Sequence, residues 1–132
     1  MIIEDIQAIP LNMSYKPELA PHLGRSGLRA YKGRMSLYRV ELKGGVVGYG
    51  DSMGGPDDLS ALVGSHAVSG LRTILHPGVQ MACYDAVGRA LDLPAHALMG
   101  RQVRPRVPFA YWTAELPPEV WAAQARQAVE MG

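Results

Sequence analysis

The chain has 132 residues, 48% of them hydrophobic and 19% charged, with a formal net charge of +1, a composition that excludes disorder and points to no nucleic acid or other strongly charged partner. A chain of this length can bury roughly two-thirds of the surface it exposes when unfolded, so a real core is possible. The single cysteine, Cys83, excludes an intramolecular disulfide, and no apolar run approaches the roughly 20 residues that span a bilayer.

The N-terminus, MIIEDIQAIP, carries acids where a secretory signal has a basic region, so a cytoplasmic protein is expected, with no membrane partner. Residues 2–12, rich in isoleucine, predict a first strand, with Pro10 suited to an edge or a strand end. In RMSLYRVELK, Tyr38, Val40 and Leu42 fall on one face and Arg39, Glu41 and Lys43 on the other, the alternation of a half-buried strand. Gly44-Gly45 then joins it to VVGYGD in a hairpin, because two adjacent glycines supply the positive φ of a tight turn. Between the first two strands lies SYKPELAPHLGRSGLRAYKG, a long loop with no sustained period. From Ser14 to Arg34 it holds Lys16, His22, Arg25, Arg29, Lys32 and Arg34 against one acid, Glu18. Such a loop suits an anionic ligand if it folds over a site, although on charge alone a solvated surface loop is the preferred reading.

After Asp51, GGPDDLSALVG predicts a helix started by Pro56 and stopped by Gly64, and residues 65–76 are ambiguous. From Pro77 the helical period is clear: Val79, Ala82, Cys83, Ala86, Val87, Ala90 and Leu91 make one stripe of mostly small apolar side chains. RPRVPFAYW predicts a short strand flanked by prolines, and PPEVWAAQARQAVEMG a final helix with Val120, Trp121, Ala125, Ala128 and Val129 inward. Strands first, helices next, and a closing βα pair give an α+β fold that ends as a βα series would begin.

Complete catalytic sets are not visible. GVVGYGDSMGG is spaced G-x-G-x-x-x-G and does not open directly on a helix, so it lacks the dinucleotide fingerprint. His22, His66, His76 and His96 have no metal-ligand spacing, and Cys83 on the apolar stripe reads as a buried, inert thiol. Asp85, one turn before Arg89, is first a surface i,i+4 pair, second a structural hydrogen-bond acceptor, and only third an acid or base.

Three stretches, VELKGGVVGYGDS, GVQMACYDAVGRALDLPAHALMG and RPRVPFAYWT, together resemble the N-terminal part of the mandelate racemase and muconate lactonizing branch of the enolase superfamily. The matching positions are Gly48, Tyr49, Gly50 and Asp51 in the turn, where the family more often has glutamate, then Met81, Ala82, Asp85, Gly88 and Ala90 in the helix, then Pro94, Leu98 and Gly100. The resemblance implies an enolase-like capping domain over 1–103, built on a small antiparallel sheet with helices, and the first strand and helix of an incomplete (β/α) barrel over 104–132.

It further implies a Mg²⁺-dependent parent enzyme, an acid-sugar dehydratase or racemase that abstracts a proton α to a carboxylate, homo-oligomeric when complete. The metal ligands and the catalytic bases are expected beyond this chain, which would then bind no metal and be inactive alone. Two cap loops would select a small carboxylate substrate: the first around His22, Leu23 and Arg25, the second running from Asp51 into Ser52 and Met53. Trp112 and Thr113, at the end of the first barrel strand, would line the pocket, unless Thr113 merely caps a helix. The alternative is a free-standing binding or oligomerisation module derived from the cap.

Overall fold

The computed structural model describes residues 1–17, 19–23, 35–53, 58–74, 76–108, 110–113 and 115–132. The chain divides into two compact units, one formed by Met1–Asn12 and Gly33–Val103, the other by Met13–Lys32 and Arg104–Gly132.

The first unit is α+β. Its sheet contains β1 (Ile3–Leu11), β2 (Met35–Leu42) and β3 (Val47–Met53), all antiparallel and in sequence order. The β2–β3 hairpin turns where expected, with Gly44 and Gly45 at φ of 104° and 84°. The alternation in β2 sorts its two faces as the pattern requires. Ser36, Tyr38, Val40 and Leu42 are buried on one side, while Arg39 on the other reaches Glu41 at 2.8 Å and Asp5 of β1 at 4.0 Å. Beside Val40 and Tyr38, Ile6 and Ala8 of β1 extend the apolar face.

Helices close that face. In the N-terminal segment α1 (Ala20–Leu23) is a single turn that belongs to the other unit; here α2 (Ala67–Thr73) and α3 (Pro77–Leu91) supply the cover. Ala67, Leu71 and Ile74 join Val79, Ala82, Cys83, Ala86 and Val87 around Ile3, Tyr38, Val40 and Leu42 to make one core. Each large aliphatic side chain so buried contributes about 1.5–3 kcal/mol. The α3 stripe is buried through Val87 and Gly88, but Ala90 and Leu91, expected on it, are exposed. Gly50 meets Gly78 and Ala82, and Gly48 meets Ala82 and Ala86, so the strand runs back along the helix two residues per turn or so. Two strand residues advance roughly 6.7 Å and four helical residues roughly 6 Å. The last turn of α3 therefore runs past the start of β3.

One further expectation fails in this unit. Among the described residues of GGPDDLSALVG there is no α-helix, only a 3₁₀ turn at Ser60–Leu62 ending before Gly64 at φ 84°. The ambiguous stretch after it contains α2, whose seven residues are too few to show a period.

In the second unit α4 (Pro118–Met131) forms as expected, with Pro118 in its first turn. None of its residues is buried: Trp121 is 53% and Val129 81% exposed, where an inward stripe was expected. No strand is present among the described residues of 104–113. A strand requires a laddered neighbour, and Pro105 and Pro108 have no N–H with which to make one.

Candidate functional site

β3 is mounted on α3 by contacts that account for Met81-Ala82-x-x-Asp85-x-x-Gly88 of the motif, while Ala90 is exposed. A Cβ at Gly48 would lie 2.7 Å from the Ala86 Cβ, and one at Gly50 2.7 Å from the Ala82 nitrogen, so the helix backbone rests directly on two strand glycines. That approach needs small residues on both sides, which explains why the stripe of α3 is alanine-rich. Asp85 then locks the two elements together. One carboxylate oxygen accepts the Tyr49 backbone N–H at 2.9 Å, and the other accepts Arg89 Nε at 2.9 Å. Gly88 leaves room for the returning chain, because a Cβ there would stand 2.7 Å from the Leu93 carbonyl oxygen. Leu93 N–H donates to Gly88 O at 2.9 Å, and Asp92 closes the helix in the left-handed region at φ 54°.

The N-terminus of α3 is capped by His76, whose Nδ1 accepts the Val79 N–H at 3.4 Å while its ring meets Tyr38 edge-on at 4.5 Å. Gln80 Nε2 donates to Leu71 O at 3.0 Å, tying α3 to α2. The sequence singled out Asp85 but not this histidine cap or its tyrosine neighbour. Pro77 immediately after His76 was the available signal, since proline in the first turn marks the preceding residue as the cap.

Of the residues expected to bind substrate, Ser52 and Met53 close β3. Ser52 is half-buried, pairs with Ser36 across the sheet, and donates from Oγ to Met53 O at 3.2 Å; Met53 is 55% exposed. As neighbours in a strand they point to opposite faces, so they do not share a surface within it. His22 lies in α1, half-buried, with its backbone N–H donating to Leu19 O at 3.0 Å. Arg25, together with the Leu23 side chain and Arg29, Lys32 and Arg34, lies outside the described residues.

Trp112 and Thr113 differ in setting. Trp112 is 68% exposed. Tyr111 and Thr113, two residues apart, both line a groove of about 280 Å³ with Trp121, Gln124, Ala125 and Ala128 of α4. Tyr111 OH donates to Gln124 Oε1 at 3.0 Å, and the Thr113 hydroxyl is buried with no hydrogen-bond partner among the described residues. Thr113 does not cap α4, whose cap position is Pro117.

Electrostatic perturbation is slight. Burial pushes the Cys83 thiol up to about 11, the direction of an unreactive side chain. The Ser60 hydroxyl and backbone N–H hold Asp58 below the usual carboxylate range. Among the described residues no three His, Cys, Asp or Glu side chains come together as metal ligands. The described residues therefore do not by themselves fit a magnesium cage. No described helix is long and apolar enough to cross a membrane.

Comparison with known proteins gives one direct lead. The chain is 41% identical over 56 residues to a protein of Streptomyces coelicolor (strain ATCC BAA-471 / A3(2) / M145) described as "Probable glucarate dehydratase". That stretch is 42% of this chain and 13% of that protein, so the chain matches only a small part of its curated relative. Neither a protein-family profile nor a solved structure matches the chain. The similarity supports the enolase-superfamily likeness read from the motifs, and the α+β unit with its three-stranded antiparallel sheet fits an N-terminal cap of that kind.

Proposed function

We propose that this chain is the substrate-selecting cap, with the beginning of the barrel, of a Mg²⁺-dependent enzyme in the mandelate racemase and muconate lactonizing branch of the enolase superfamily. The reaction is dehydration or racemisation of an acid sugar, begun by removing the proton α to its carboxylate. The observation that carries this reading is the 41% identity over 56 residues to a protein described as "Probable glucarate dehydratase". In this reading the metal and the bases belong to polypeptide other than these residues, and the chain contributes specificity.

The two loops have separate tasks. The first, with His22, Leu23 and Arg25, brings hydrogen-bond donors and a guanidinium, the group best shaped to grip a carboxylate through two parallel bonds. The second begins at Ser52 and Met53, whose stem is fixed by the glycine contacts and the Asp85 latch. Trp112, exposed beside the half-buried Thr113, is the better candidate of that pair to meet substrate.

A chimera tests the proposal. Residues 1–103 would replace the corresponding segment of the Streptomyces protein, and α-keto acid formation from a panel of acid sugars would be followed with Mg²⁺ present. Retained turnover with a changed order of substrate preference is expected, and Arg25→Ala in the chimera should raise KM with little change in kcat. A folded chimera whose substrate preference is the same as the parent's would overturn the specificity role.

A second reading, a free-standing binding or oligomerisation module, is favoured by the complete core that the first unit closes within itself. Sizing and a thermal melt of the 132-residue chain discriminate. A module gives a defined species with one cooperative transition, whereas the exposed Trp121, Val129 and Met131 of a partial barrel favour self-association and binding of a hydrophobic dye.

A further inference from the structure

We draw no further inference here: the strongest candidate, the apolar groove of about 280 Å³ in the C-terminal unit between Tyr111, Thr113 and one face of α4, which contains a buried Thr113 hydroxyl with no partner among the described residues, carries nothing because nothing in the structure shows what covers it.

Discussion

Tyr49 donates its backbone N–H from the open side of an edge strand, and Asp85 is the acceptor that satisfies it. The same carboxylate holds Arg89, but that guanidinium is largely exposed, its side chain 60% accessible. The two bonds should therefore differ in worth. Asp85→Ala removes both and is expected to cost about 1–2 kcal/mol, because a charge-assisted bond between elements is lost. Arg89→Ala removes a surface i,i+4 pair and should cost less than about 0.5 kcal/mol. Urea denaturation of the two variants measures this, and equal costs would mean the bond to Tyr49 contributes nothing. From the sequence alone the Arg89 pair ranked first, since i,i+4 spacing is visible and a partner 36 positions away is not.

Cys83 makes a pH prediction at the same scale. Burial raises its thiol to about 11 in the folded chain, against an unfolded value near 9.0. The unfolded chain therefore releases this proton first as pH rises. The associated stability is fully present below about pH 9 and is lost progressively as pH rises through 11, by an amount on the order of 2–3 kcal/mol. Cys83→Ala should flatten that alkaline slope, and a thiol reagent should leave wild-type Cys83 unmodified until the chain unfolds. Rapid labelling of the native protein at pH 8 would refute the buried placement.

At the scale of elements, the joint between β3 and α3 sets the position of Ser52 and Met53, and its tolerance is small. Gly48→Ala or Gly50→Ala would drive a methyl group into helix backbone, which cannot rotate away as a side chain can. A cost above about 3 kcal/mol is expected for either, at the upper end of overpacking effects. Gly44→Ala, in open space at a positive φ, should cost about 1 kcal/mol from backbone strain alone. Thermal melts of the three variants should rank them in that order. These glycines superficially suggested a nucleotide loop, and their actual work is helix packing. The spacing G-x-G was legible as a strand, because alternate residues share a face; that the face receives a helix was legible only through the matching alanines of α3. The helix itself could be read from Pro77 to Leu91, since fifteen residues show a period and both ends carry stop signals. In contrast, α2 has seven residues including Gly70, and depends on tertiary cover at Ala67 and Leu71.

For the whole molecule, burial is unequally shared. The first unit has a core in which Ile3, Tyr38, Val40, Val79 and Cys83 are wholly inaccessible, while α4 buries no residue along its fourteen. The apolar period of α4 was readable in the sequence, but a period says which face can be covered and not whether anything covers it. The same limit applies to Trp112 and Thr113. Their alternation was implicit in a strand, yet which of them would face the helix depended on packing that no local pattern encodes. A helix of this length is marginal in water without tertiary contacts, so α4 should open far more readily than α3. Native-state hydrogen exchange tests it. Amides of Tyr38, Val40 and the middle of α3 should exchange through the largest opening of the first unit, and those of α4 faster by at least about a hundredfold. In the same way, Val40→Ala should cost about 2–4 kcal/mol and Trp121→Ala less than about 1 kcal/mol. Equal protection in α4 and α3 would show that the exposed stripe of α4 is covered in solution, and a second copy of the chain would then be the first partner to look for by sizing.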